Sequence, residues 1–139
     1  MTEKALSHVH VTSLPSVDQH QIDEFGHVSD VEFNKIGRKN ALKWFSQVFG
    51  LYTKWCAPIT RTKVCSYLKP LTTGASRVKV KTGLLSWDPD AASAIETVVY
   101  DEQTTYYIET REVKVIVHSP VLSLRGIGRD VGFEPLSKL

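Results

Sequence analysis

The stretch DEFGHVSDVEFNKIGRKNALKWFSQVFG, residues 23–50, decides the fold because it contains the start, the apolar face and the end of one long helix. Ser29 and Glu32 form the S-x-x-E pattern of a capping box, in which each side chain accepts the amide of the other residue. The apolar residues that follow are spaced mostly three and four apart and make a broad stripe: Phe33, Ile36, Ala41, Trp44, Phe45, Val48 and Phe49. With Gly50 as the stop signal, the pattern predicts a helix over about 29–50.

The rest of the chain has the pattern of β-strands separated by turns. In a first strand region, 8–22, apolar and polar residues alternate until Pro15 interrupts them. Four further strands are predicted after the helix, at 61–70, 77–87, 95–100 and 104–118. The short turns between these four strands predict antiparallel neighbours.

These elements together predict an α+β fold. One sheet wrapped around one apolar helix buries the apolar faces of both. We therefore expect a long helix wrapped by a five-stranded antiparallel sheet, in a single domain spanning 1–139. Its core is expected at about 8–118, and the glycine-containing tail at 119–139 is expected to be irregular.

Length and composition exclude several classes of protein. The chain has 139 residues, of which 42% are hydrophobic and 23% charged, as in one soluble globular domain. A net charge of +2 is too small for nucleic-acid binding through bulk charge. No stretch approaches the ~18 apolar residues of a membrane span, and Met1–His10 lacks an apolar signal segment, so we expect a cytoplasmic protein with no membrane partner. Cys56 and Cys65 fit no disulfide or zinc spacing and are expected to be free thiols.

The residues with chemical potential lie just before and at the start of the helix. A capping box uses the amides of Ser29 and Glu32 and leaves those of Asp30 and Val31 free. Free amides at a helix N-terminus favour negative charge and can stabilise a developing oxyanion. Asp23 precedes them by one short turn, so its carboxylate is a candidate nucleophile or general base for acyl transfer. The alternative is that Asp23 only braces the turn through its own backbone.

Two segments resemble a known family. DEFGHVSDVEF, residues 23–33, resembles the D-x-x-G-H-V-N-N-x-x-Y segment of the hotdog-fold acyl-CoA thioesterases, of which the 4-hydroxybenzoyl-CoA thioesterase group is similar to this chain. YLKPL, residues 67–71, followed by Gly74, resembles the same family's Y-x-x-P-L-x-x-G strand end. The resemblance covers about 15–118 and leaves the tail unmatched.

The resemblance implies a hotdog fold and hydrolysis of an acyl- or aryl-CoA thioester, with a carrier-protein thioester as an alternative substrate. It assigns the catalytic carboxylate to Asp23, the carbonyl-polarising amide to Asp30 and the tight turn to Gly26. It implies no metal or redox cofactor, since coenzyme A arrives as part of the substrate. It also implies active sites at the interface of a homodimer, or of a tetramer built from dimers, which agrees with a chain too short to supply a lid.

This chain departs from the family pattern at three places. Gln21 stands where many members have an acid, Ser29 and Asp30 replace two asparagines, and Phe33 replaces a tyrosine. A close approach of the Asp30 carboxylate would oppose an oxyanion and raise the pKa of Asp23. These departures keep a second hypothesis open, a non-catalytic hotdog protein that binds acyl-CoA or an acyl product. A hotdog dehydratase would need a catalytic histidine paired with an acid in another motif, which we do not find.

Further candidates concern substrate binding. His27 and Val31 lie in the first motif, and His27 could instead have a structural role in the turn. Ser66 and Thr60 could reach the site from the partner subunit.

Basic and histidine residues complete the set of candidates. Arg77, Lys79 and Lys81 alternate with valines, which is typical of a solvated strand face but would also suit the phosphates of coenzyme A. His8 and His10 would share a strand face, but no third ligand has a clear spacing, so no metal site is predicted.

Overall fold

One long helix and one five-stranded antiparallel sheet form the fold, as predicted. The structure, a computed structural model, describes residues 5–15, 17, 19–72, 75 and 77–134. The elements in chain order are β1 (Ser7–Ser13), α1 (Asp30–Phe49), β2 (Cys56–Tyr67), β3 (Lys79–Ser86), β4 (Ser93–Tyr100), β5 (Thr105–Val117) and α2 (Leu124–Val131), with short 3-10 turns at Gln19–Gln21 and Gly50–Lys54.

The strand order in the sheet is β1-β3-β4-β5-β2, and every pairing is antiparallel. The predicted hairpins are confirmed for β3, β4 and β5. The expectation that β2 neighbours β3 is wrong, because β1 and β4 occupy the two sides of β3. Instead β2 pairs along its whole length with β5, from Cys56 opposite Val117 to Tyr67 opposite Tyr107, and forms a sheet edge. This pairing is also why β2 begins earlier than predicted.

The start and end of α1 follow the predicted signals with one exception. Ser29 is the N-cap, and its hydroxyl accepts the Glu32 amide at 3.2 Å, while Gly50 ends the helix with a φ of +53°. The reciprocal half of the predicted capping box is wrong. The Ser29 amide donates to the Gln21 carbonyl at 3.2 Å, which leaves the Glu32 carboxylate to pair with Lys35 at 3.3 Å.

The core consists of two apolar clusters between α1 and the sheet. One lies under the first turns of α1 and contains Val28, Phe33, Leu71 and Tyr107. The other lies under the last turns and continues into residues after β5. In the part of the chain that the structure describes, no helix is long and apolar enough to cross a membrane.

The tail departs from the prediction of an irregular segment. Residues Leu124–Val131 form α2, which Ser123 caps by accepting the Gly126 amide at 3.0 Å. Ile127 and Phe133 are buried, and the Phe133 ring lies 4.6 Å from that of Trp87. The core therefore extends past 118. The glycines suggested an irregular chain, but Gly128 packs so closely against Trp87 that a side chain there would collide with the indole.

Candidate active site

A tight loop precedes α1 and carries the predicted catalytic carboxylate. The Asp23 amide donates to the His27 carbonyl at 2.6 Å, and the Gly26 amide donates to the Asp23 carbonyl at 3.1 Å. Gly26 has a φ of +80°, a conformation that other residues adopt at a cost. Gly26 thus has the backbone conformation that the predicted tight turn requires, and its part in catalysis stays a prediction.

The second motif holds this loop in place. The Val28 amide donates to the Leu71 carbonyl at 2.8 Å, and His27 forms an isolated antiparallel bridge with Thr72. Leu71 is fully buried, which anchors the contact in the core. The structure thus brings together two segments that are far apart in the sequence. Gly74, the last residue of the second motif, lies outside the described residues.

The carboxylate of Asp23 is exposed and has two distinct oxygens. Oδ1 accepts the Phe25 amide at 2.8 Å and the His27 amide at 3.1 Å, which is the bracing role considered as the alternative. Oδ2 accepts no hydrogen bond from any residue that the structure describes. The His27 amide, followed by the Phe25 amide, lowers the pKa of Asp23 below its ordinary value. The raised pKa considered for a close Asp30 carboxylate is not found.

The first turn of α1 presents unpaired amides. The Ser29 hydroxyl takes the Glu32 amide, and the Ser29 carbonyl takes the Phe33 amide at 3.0 Å. Within the described chain, the amides of Asp30 and Val31 have no acceptor. They carry the positive end of a helix of 20 residues, so this end attracts an oxygen with developing negative charge. The Asp30 carboxylate is itself exposed.

Exposed apolar side chains flank the helix start. Phe25 at the loop tip is 75% exposed, and Val31 is 62% exposed. Tyr67 and Leu68, at the end of β2, are each about half exposed. A surface of this kind is typical of a place that a ligand or another subunit covers. His27 is only partly exposed, and its side chain stays a predicted substrate contact.

A hydrogen-bonded cluster that the sequence did not reveal begins beside the helix start. The Asn34 amide group donates to the Asp30 carbonyl at 2.6 Å and to the Tyr67 hydroxyl at 3.1 Å. Its oxygen accepts from Lys63 and lies 3.5 Å from the Cys65 thiol. Asn34 therefore ties the first turn of α1 to the end of β2. Cys65 and Cys56 are both free thiols.

The cluster continues inward along β5. The Cys65 sulfur lies 3.2 Å from the Tyr107 hydroxyl, which donates to Glu109 Oε1 at 2.6 Å, and Glu109 forms an ion pair with Arg111. Burial, with the contacts to Cys65 and Glu109, raises the pKa of Tyr107. Tyr107, Glu109 and Arg111 alternate on the face of β5 that also buries Val113. The sequence contains one sign of this cluster: Glu109 and Arg111, of opposite charge, stand two residues apart on a strand face whose other residues are mostly buried.

The predicted partner-subunit residues lie on β2. Cys65 and Tyr67 face α1, so Ser66 between them faces the opposite side of the sheet. Thr60 lines a cavity under the second half of α1, several residues from the helix start. Within one subunit, neither residue joins the Asp23 loop, and their role toward a partner's site stays a prediction.

The basic residues predicted to bind coenzyme A lie at the start of β3. Lys79 and Lys81 alternate with the buried Val80, so they lie on the sheet face opposite α1. The Lys81 ammonium lies 5.0 Å from the centre of the Tyr100 ring. Arg77 is exposed, with a φ of +59°. Their contact with a ligand stays a prediction.

Two histidines named in the sequence have structural contacts. His8 Nε2 donates to the Val131 carbonyl at 2.9 Å, and His10 contacts Thr12. No group of three or more His, Cys, Asp or Glu side chains that could hold a metal ion occurs among the described residues.

Comparisons with known proteins bear on the fold. No protein-family model and no curated protein matches the sequence. Among solved structures, the chain is similar to a thioesterase-superfamily protein from Jannaschia sp. CCS1, with a TM-score of 0.70, 11% identity and 88% of each chain covered. It is also similar to a thioesterase from Thermus thermophilus complexed with coenzyme A and Zn, with a TM-score of 0.64 at 15% identity over 91% of this chain and 97% of that one. The probable thioesterase YbaW from Escherichia coli gives a TM-score of 0.61 at 12% identity over 88% of this chain and 94% of that one.

At sequence identities this low, the structural similarity shows the fold and nothing further. The long helix packed on a five-stranded antiparallel sheet is the hotdog fold of these thioesterase structures, and the predicted fold class is confirmed.

Proposed function

We propose that this protein hydrolyses a thioester of coenzyme A, or of a carrier protein, at the start of α1. The observation that carries the proposal is the pair of unpaired amides on Asp30 and Val31, next to the loop that holds Asp23. A thioester carbonyl oxygen accepting these amides gains stabilisation as it becomes an oxyanion. The names of the structural neighbours support the same reaction class.

In this proposal Asp23 acts through Oδ2, because Oδ1 already accepts the Phe25 and His27 amides. Its lowered pKa keeps the carboxylate ionised at neutral pH, the form required of a nucleophile or a general base. As nucleophile, Oδ2 attacks the carbonyl carbon, the carbon–sulfur bond breaks and the thiolate leaves with the electron pair. Water then hydrolyses the resulting anhydride and restores the carboxylate. As general base, Oδ2 takes a proton from the water that attacks directly.

The test removes the negative charge of Asp23 and keeps an oxygen at the position of Oδ1. Asp23→Asn retains an oxygen for the Phe25 and His27 amides, so the loop should keep its conformation. We expect kcat for thiol release to fall at least about 100-fold. Asp101→Asn is the matched control, because Asp101 Oδ1 also accepts two amides, those of Gln103 and Thr104, in a turn of the sheet. Near-normal turnover in Asp23→Asn would refute this role.

A second hypothesis is that the chain binds acyl-CoA without hydrolysing it. It is favoured by the use of Asp23 Oδ1 as a brace, since a purely structural carboxylate would look the same. A panel of short-chain, long-chain and benzoyl esters of coenzyme A, with pantetheine esters in place of carrier-protein thioesters, separates the two. Thiol release above the uncatalysed rate excludes the binding-only hypothesis.

We further propose that two copies pair through the β2 edge. This edge carries exposed apolar side chains, with Val64 68% and Ile59 50% exposed, and its outer backbone groups lack a strand partner within the described chain. Joining two such edges would satisfy those groups. Sedimentation velocity on the wild type and on Val64→Lys tests this pairing, with a dimer expected only for the wild type.

A further inference from the structure

A separate cavity of about 250 Å³ lies under the second half of α1, against β2, β4 and β5. Its wall includes apolar side chains such as Phe45 and Ile95. Two charged side chains line it, Arg38 from α1 and Arg111 from β5, and no carboxylate of the described residues does. The proposed reaction at the helix start uses none of these residues.

Arg111 has an unused hydrogen-bond donor. Its side chain is 8% exposed, and its Nε bonds the carboxylate of Glu109. Its Nη2 is buried and has no hydrogen-bond partner among the residues that the structure describes. Buried donors are nearly always paired in native proteins, so this nitrogen indicates an acceptor that completes the site.

The position of Glu109 explains why it does not supply that acceptor. Its Oε1 accepts the Tyr107 hydroxyl at 2.6 Å. Its carboxylate also lies against the bare backbone of Gly37, where a Cβ atom would come within 2.1 Å of Oε1. Both contacts hold the carboxylate on the Nε side of Arg111. Glu109 therefore balances one positive charge, and Arg38, which forms no ion pair within the described chain, leaves the cavity with a net positive charge.

The cavity lies about two turns of α1 away from the proposed reaction site. Arg38 follows Asp30 by eight helical residues, which places it about 12 Å along α1 at a rise of about 1.5 Å per residue. An acyl group whose carbonyl binds at the helix start would need about this length for its far end to reach the cavity.

We propose that this cavity binds the far end of the substrate's acyl group, and that this end carries a carboxylate, so that the substrate is the monothioester of a dicarboxylic acid. The proposal rests on the proposed function. A carboxylate suits both observations, because it accepts the free N–H of Arg111 and neutralises Arg38. A plain alkyl end would leave the buried donor unpaired.

The test compares matched thioesters. Glutaryl-, adipoyl- and sebacoyl-CoA are each assayed against the straight-chain monocarboxylic ester of the same carbon number, pentanoyl-, hexanoyl- and decanoyl-CoA. We expect at least one dicarboxylic ester to be preferred at least about tenfold in kcat/KM, since a site built for hydrogen bonding rejects analogues that lack the partner. No preference in any pair overturns the proposal.

Two variants link the preference to the cavity. Arg38→Met removes the outer charge, and Glu109→Gln with Arg111→Met removes the inner pair without leaving a buried, unpaired carboxylate. Each should lower the preference about tenfold while hydrolysis of the monocarboxylic ester continues. Arg61→Met is the control, an exposed arginine on β2 next to Thr60 but not lining the cavity. A preference that survives both cavity variants overturns the proposal.

A binding measurement separates this proposal from the proposed function. If no thioester is hydrolysed, the proposed function fails, and calorimetry with sebacate and decanoate then tests the cavity alone. Stronger binding of sebacate that is lost in the Glu109→Gln, Arg111→Met variant supports the cavity assignment. Equal binding of the two acids, or binding unchanged in the variant, overturns it and leaves water as the partner of Arg111.

Discussion

Gly37→Ala tests the hydrogen-bonded cluster of Tyr107, Glu109 and Arg111. We expect the change to lower the free energy of unfolding, although the helix propensity of alanine alone would raise it. In a solvent-facing helix position this change stabilises by about 1 kcal/mol. Here the new Cβ would lie 2.1 Å from Glu109 Oε1 and 2.4 Å from its Cδ. An ordinary contact begins at 3.4 Å, so the carboxylate must retreat by about 1.3 Å, the difference between 3.4 and 2.1 Å.

The retreat of Glu109 disrupts both of its partners. The Tyr107 hydroxyl, at 2.6 Å from Oε1, loses a hydrogen bond to a charged group, worth about 1.5–3 kcal/mol. The ion pair with Arg111 is distorted as well, and breaking a buried pair fully costs about 3–5 kcal/mol. After subtracting about 1 kcal/mol for propensity, we expect a net loss of about 2–4 kcal/mol in the free energy of unfolding. For a chain of this size that corresponds to a fall in Tm of roughly 8–16 °C.

Urea denaturation of four proteins measures this effect: the wild type, Gly37→Ala, the Glu109→Ala, Arg111→Met variant, and the combination. Without the carboxylate, Gly37→Ala should become neutral or stabilising, so the cycle gives a coupling of at least about 2 kcal/mol. Ser46→Ala, on the exposed face of α1, controls for propensity. If Gly37→Ala stabilises the wild type, or costs the same without Glu109, the reasoning is refuted.

Three further predictions concern the loop, the helix start and the tail. Because the pKa of Asp23 lies below its ordinary value, its carboxylate stays ionised in mild acid, so kcat should stay level as the pH falls from 7 to about 5. A decline in kcat that begins within this range in the wild type and is absent from the Asp23→Asn variant would contradict it. Ser29→Ala should cost about 1 kcal/mol in urea denaturation and Ser29→Gly only a few tenths, so equal costs would argue against the cap. Phe133→Ala should lower the free energy of unfolding by about 3–5 kcal/mol, against no more than about 0.5 kcal/mol for Val121→Ala at an exposed position. A similarly small loss for both variants would contradict the assignment of the tail to the core.

The long helix and the loop before it were predictable because their signals are local. The cap at Ser29, the apolar spacing and the stop at Gly50 lie within one segment, and each acts on residues a few positions away. Gly26 likewise reports a backbone requirement of its own turn. Local chemistry of this kind can be read without knowing what packs where.

The position of β2 was not predictable by the same reasoning. Strand pairing depends on which edge is free after the other strands have assembled, and β1 fills the edge of β3 that β2 would need.

The prediction of an irregular tail was wrong for a different reason. Its glycines read as breakers, yet Gly128 is small so that α2 can approach the Trp87 ring, and Gly132 ends that helix with a φ of +85°. A glycine that serves close packing looks the same in sequence as one that serves a turn.

Asp23 and the helix start could be predicted from the sequence, whereas the residues that would select the acyl group could not. Asp23 and the helix start belong to one continuous motif, so their proximity follows from the chain itself. The pair Glu109 and Arg111 becomes meaningful only when β5 is known to face α1 with that side, opposite Gly37. Chemistry at the carbonyl needs charge and amides at one place, whereas selection of the acyl group needs a wall built from several elements. The reaction type is therefore suggested by a local motif, while the substrate is suggested by a buried donor that only the assembled fold reveals.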